Sequence, residues 1–133
     1  MRPQKFYSTV RHASGEENHA VIKRATGAVF HALRDRLTME ESDQVVAQLP
    51  HELKAVWQEG ERVGRRPLKM DREAFYERVR QEAGLASTTH ACWATIGVFA
   101  ALKEQLSPGE ADDVLAQLPK DLKEVWWDAQ VPV

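Results

Sequence analysis

The sequence predicts an all-α fold: about eight helices, formed by two tandem four-helix repeats packed as one pseudo-twofold bundle. Three observations predict it. The stretch 37–57 returns as 106–126, and sliding 6–57 onto 75–126 gives about 23 identities across 52 positions without a gap, enough self-similarity at one fixed offset to define a duplicated unit. Apolar residues recur at the helical spacing of about 3.6 residues. Each copy also carries the same helix-start signature and the same Gln-Leu-Pro break. Two copies are too few for an open solenoid, whose end units need caps. The repeats are therefore expected to face each other and share one core within a single domain, 1–133. Repeat one takes 1–58, the connector 59–70 and repeat two 71–128.

The first helix of repeat one is expected over 3–14, with Phe6, Val10 and Ala13 on one face and Gly15 as a left-handed C-terminal cap. Gly84 holds the equivalent place in repeat two, whose first helix has Asp71 as its N-cap. The second helix is expected over 17–36, with its partner starting at Ser87 or Thr88. Ala25, Ala28, Ala32 and Gly97 are small enough to admit a neighbouring helix closely, and Thr26 and Thr95 can bond the carbonyl one turn back. Thr38-x-x-Glu41 and Ser107-x-x-Glu110 read as capping boxes opening the third helices, with each glutamate reaching back to the cap. Pro50 and Pro119 disfavour helical geometry at Leu49 and Leu118, so the third helices end there and short fourth helices follow. Trp57 and Trp126 are expected in the core, and Gln48 and Gln117 on backbone groups freed at the break.

Composition narrows the function classes. No apolar run approaches the roughly 18 residues of a membrane span, and no apolar signal segment is expected. Cys92 is the lone cysteine, which rules out an internal disulfide and fits a reducing, cytoplasmic compartment. The formal charge of −2 disfavours a general nucleic-acid binder. The halves differ, however: 1–69 holds 12 Lys/Arg against 9 Asp/Glu, whereas 70–133 holds 6 against 11. Complementary fields of this kind steer association.

No chemistry emerges from the side chains. Glu40, Glu41 and Asp43, with Glu110, Asp112 and Asp113, occupy first helical turns, where negative charge complements the helix dipole. The histidines 12, 19, 31, 51 and 90 include no pair four apart, the spacing that aims two at one metal. Phosphate-cradling glycine loops are absent. No catalytic residue, metal ligand or cofactor site is nominated. The unduplicated features are the connector arginines Arg62, Arg65 and Arg66, candidates for holding an anion, and Trp93 and Trp127, candidate aromatics for a partner surface.

The doubled pattern Arg36-Leu37-Thr38, Glu41, Ala47-Gln48-Leu49-Pro50, Leu53, Trp57 and Leu106-Ser107, Glu110, Ala116-Gln117-Leu118-Pro119, Leu122, Trp126 resembles DUF2267, a bacterial family of small two-repeat helical proteins catalogued as a domain of unknown function. The resemblance implies an all-helical fold and a cytoplasmic bacterial protein. It carries over no catalytic or binding residues. The functional expectation is a non-enzymatic interaction or scaffold module that binds a protein partner or itself. An anion or nucleic-acid binder acting through the connector is the alternative, and a small-molecule binder or enzyme stands third.

Overall fold

A computed structural model describes residues 2–132 as eight helices: α1 (Pro3–Ser14), α2 (His19–Arg36), α3 (Met39–Ala47), α4 (His51–Gln58), α5 (Arg72–Ala83), α6 (Thr88–Gln105), α7 (Pro108–Gln117) and α8 (Lys120–Asp128). The boundaries follow local chemistry. Gly15 and Gly84 close α1 and α5 in the left-handed region, at φ 80 and φ 67, which glycine enters without a Cβ penalty. Asn18, Asp71 and Ser87 cap α2, α5 and α6 through their side-chain oxygens. The two Leu-Pro pairs break the chain between α3 and α4 and between α7 and α8, as expected of pre-proline geometry.

The repeats interlock. α1 packs chiefly on α6 of the other repeat, and α5 packs in the equivalent way on α2. α2 and α6 touch each other along the pseudo-twofold axis, and α3 meets α7 at one end of it. The close approach of α1 to α6 occurs at Gly97, where a Cβ would lie 2.8 Å from the Val10 carbonyl oxygen and 2.8 Å from Ser14 Cβ. Thr26 and Thr95 are fully buried and donate to the carbonyls of Ile22 and Ala91, both at 2.8 Å, so their hydroxyls enter the core already satisfied.

One apolar core runs through both repeats. Its spine is two aromatic series. Phe30 lies between Phe6 and Trp57 at 5.6 and 5.2 Å, and Phe99 between Phe75 and Trp126 at 6.0 and 5.1 Å. Trp57 and Trp126 are buried as expected. Trp57 donates its indole N–H to Ser42 Oγ at 2.9 Å, a partner that repeat two replaces with Ala111.

The ends of α4 and α8 are held by cations from the helices beneath them. Buried Arg34 donates to the Trp57 and Glu59 carbonyls at 2.8 and 2.6 Å, and Lys103, 69 residues later, donates to those of Trp126 and Ala129 at 2.7 and 2.9 Å. Each supplies positive charge and hydrogen bonds to a helix C-terminus that has no basic residue in its own last turn. Burial lowers the pKa of the Lys103 amine.

Candidate functional site

The axis between the repeats carries a distinctive feature at each end. At the end where α2 and α6 begin, a cavity of about 360 Å³ opens between α1, α2 and α6. Val10, Val21, Ile22, Ala25, Leu85 and Ala94 give it apolar walls, and Trp93 and His90 stand at its rim. Ala25 with Ala94, Val21 with His90, and Glu16 with Leu85 are pairs 69 residues apart, which places the cavity on the axis. Trp93 is 50% exposed at the rim, and its counterpart in repeat one, Arg24, donates to the Ala83 carbonyl at 3.1 Å. The His90 ring is fixed by Ser87 Oγ at 2.6 Å and by an edge-on contact with Trp93 at 5.3 Å. Ser87 is there as the N-cap of α6, accepting the His90 backbone N–H at 3.2 Å.

The opposite end is polar. Thr38 and Ser107 accept the Glu41 and Glu110 backbone N–H groups at 3.1 and 3.2 Å, as the capping signature requires. The reciprocal half of the expected box does not form. The Thr38 N–H donates instead to Gln117 Oε1 at 2.9 Å, and the Ser107 N–H to Gln48 Oε1 at 2.7 Å. The glutamine of each Gln-Leu-Pro motif thus caps the third helix of the other repeat rather than its own broken backbone. Relieved of capping, Glu41 and Glu110 turn toward each other across the axis, and both are more than nine-tenths buried. Oxygens of Glu41, Glu110 and the exposed Asp113 all lie within 4.8 Å of one another.

Like charges this close cannot all remain ionised without a counter-ion. Burial, the hydrogen-bonding contact with Glu41, and the charges of Glu41 and Asp113 push the Glu110 carboxyl up to about 8. The Gln44 carboxamide lies 3.3 Å from Glu41 Oε2 and 3.0 Å from Glu110 Oε1 and, with its NH2 turned inward, donates to both. No donor reaches Glu110 Oε2. The sequence pattern assigns these acidic residues to capping and to complementing the helix dipoles. Identity between the repeats does not separate them, since Asp43 matches Asp112 as Glu41 matches Glu110; what brings Glu41 to Glu110 is the packing of α3 on α7.

The connector arginines separate. Arg65 is buried, pairs with Glu61 at 2.7 Å, and donates to the Leu37 and Arg34 carbonyls, both at 2.7 Å. It closes the end of α2 and belongs to a network in which Arg34 and Arg78 both pair with Asp35. Arg62 and Arg66 are exposed. All three residues line one open depression of about 450 Å³ with Val63, Gly64, Pro67 and Leu68, although the Arg65 guanidinium is already engaged by Glu61 and the two carbonyls. Trp127 is 56% exposed on α8. Cys92 is a half-buried free thiol.

Among the described residues, no single helix is long and apolar enough to cross a membrane. Residues 3–125 match the family model described as "Uncharacterized conserved protein (DUF2267)". The chain belongs to this family. No curated protein matches it. The DUF2267 match spans both ends of the axis, so the cavity and the carboxylate cluster are both features of the matched domain.

Proposed function

We propose that this DUF2267 protein is a non-catalytic binding module of the bacterial cytoplasm, and that its axial cavity receives an apolar side chain of a protein partner or of a second copy. The observation that carries this reading is the cavity itself, an apolar-walled space of about 360 Å³ with a half-exposed tryptophan at its mouth. That volume suits one large side chain, and exposed Trp beside a desolvated pocket is the arrangement that concentrates binding energy. The lone half-buried thiol of Cys92 fits a reducing compartment.

The test places a photo-crosslinking amino acid at Trp93 in cells and compares it with the same protein carrying Leu85→Trp, which fills the cavity from its wall. A discrete adduct that disappears on filling supports the reading, and its mass distinguishes a foreign partner from a second copy. Adducts unchanged by filling, or none at all, would sink it.

A further inference from the structure

We propose that Glu41, Glu110 and Asp113 form a binding site for a hard divalent cation, Mg2+, Ca2+ or Mn2+, at the crossing of α3 and α7. The three carboxylates come from both repeats and converge within 4.8 Å. A second observation points to an occupant: Glu110 is 6% exposed, yet its Oε2 is buried without any donor. Burying charge without a partner is costly, and this protein meets the carboxylates of Asp35 and Glu61 with arginines at 2.9 and 2.7 Å. Among the described residues, no basic side chain forms a salt bridge with Glu41, Glu110 or Asp113.

Donor type selects the ion. Every candidate ligand atom is oxygen, including the Gln44 carboxamide once rotated to present its carbonyl, and all-oxygen sets suit Mg2+, Ca2+ and Mn2+ rather than softer ions. The Gln44 amide lies 3.0 and 3.3 Å from the two glutamate oxygens, and adjacent ligands around an ion bound at about 2.1–2.4 Å stand at similar separations. The site is an incomplete duplicate, because Gln44 and Asp113 occupy equivalent positions and only repeat two supplies the third carboxylate. Glu41 and Glu110 stand in the first turns of α3 and α7, whose positive ends moderate affinity. A Kd on the order of 10⁻⁴ to 10⁻³ M is expected, the range of weak oxygen-ligand sites.

The experiment titrates chelator-treated protein at neutral pH with Mg2+, Ca2+ and Mn2+ separately, by calorimetry and by thermal unfolding. Saturable one-to-one binding of at least one ion that raises Tm is expected. Glu110→Gln preserves shape and removes the charge repulsion, so it should fold with unchanged helical signal while weakening binding at least about tenfold. Glu40→Gln, an exposed acid on the same helix turn, should leave affinity within about twofold. No saturable binding up to about 10 mM of all three ions would overturn the proposal and leave a shared proton as the sole occupant. Binding that survives Glu110→Gln would equally overturn it, as the mark of an adventitious surface site.

Discussion

The side-chain oxygen of Gln48 accepts the backbone N–H of Ser107 at 2.7 Å, and its amide nitrogen lies 3.3 Å from the Ser107 hydroxyl. Gln117 makes the same pair of bonds to Thr38, at 2.9 and 3.3 Å. Each glutamine therefore does for the other repeat what the glutamate of a capping box does within one helix. Replacing Gln48 or Gln117 with Ala should cost about 1 kcal/mol apiece, the usual worth of a helix cap. A double-mutant cycle of Gln48→Ala with Ser107→Ala, measured by urea unfolding, should show a favourable coupling of about 0.5 kcal/mol or more. Strict additivity would mean that the bond between the Gln48 amide and the Ser107 hydroxyl contributes nothing, since the backbone N–H of residue 107 keeps its bond to Gln48 in the alanine variant.

The helix-level outline was legible in the chain because the signals that set it are local. Pro50 and Pro119 end helices wherever they fall, and glycine after an amphipathic turn closes α1 and α5. What the chain could not reveal is which surface each helix meets. Phe6 and Val10 look alike whether α1 lies on its own α2 or crosses to α6. The glutamine caps and the Glu41–Glu110 contact depend on that choice, since both join residues from different repeats. A local rule assigned Glu41 to Thr38 because it could not include Gln117. The axial cavity was hidden for the same reason: its walls come from α1, α2 and α6, and which helices meet there is settled only by the tertiary packing.

Gly97 and Gly27 provide a test of the interlocked packing. A methyl group at Gly97 would meet the Val10 backbone oxygen at 2.8 Å, whereas one at Gly27 would find Val56 Cγ1 at an ordinary 3.6 Å. Gly97→Ala should destabilise by about 1–3 kcal/mol, because α1 cannot move without disturbing the core. Gly27→Ala should be neutral or stabilising by up to about 1 kcal/mol through helix propensity. Chemical unfolding of the two variants in parallel decides the point, and equal effects would contradict the close approach of α1 to α6.

Ser42 tests the asymmetry between the tryptophans. It is 1% exposed and receives the Trp57 indole N–H, a role that the alanine at the equivalent position 111 cannot fill. Ser42→Ala leaves that buried donor unsatisfied and should cost about 1–3 kcal/mol. Ala111→Ser should recover no comparable gain unless Trp126 turns to meet it. Tryptophan fluorescence during denaturant unfolding reports both.

Acid should loosen the Arg34, Asp35, Glu61, Arg65 and Arg78 network. Burial alone would raise the pKa values of Asp35 and Glu61, but hydrogen bonds and charge from Arg34 and Arg78 hold Asp35, and hydrogen bonds from Arg65 and the Arg62 N–H with the charges of Arg65 and Arg34 hold Glu61, below their usual values of 3.8 and 4.5. The unfolded chain therefore binds these protons first as pH falls. The stabilisation is fully present above the unfolded pKa values and is lost as pH drops through the lower folded ones, so the acid limb should begin below about pH 5. Asp35→Asn should lower stability at neutral pH and make it less steep in acid. An unchanged slope from pH 5 to 2 would remove Asp35 from the cause.

Arg65 separates a structural role from a surface role in the connector. Its guanidinium binds Glu61 and two carbonyls at the end of α2, and its side chain is 6% exposed. Arg65→Met keeps much of the apolar stem but removes the charge, leaving Glu61 with Arg34 at 3.7 Å as its remaining salt-bridge partner. Loss of one side of a buried pair should cost about 3 kcal/mol. Arg62 and Arg66 are exposed on the same connector, and changing both to alanine should alter stability by no more than about 0.5 kcal/mol. Thermal unfolding of the two variants separates these expectations directly. If the double alanine variant were the more damaged, the connector would be held by its exposed arginines, and the arrangement of Arg65 between α2 and Glu61 would not describe the folded protein.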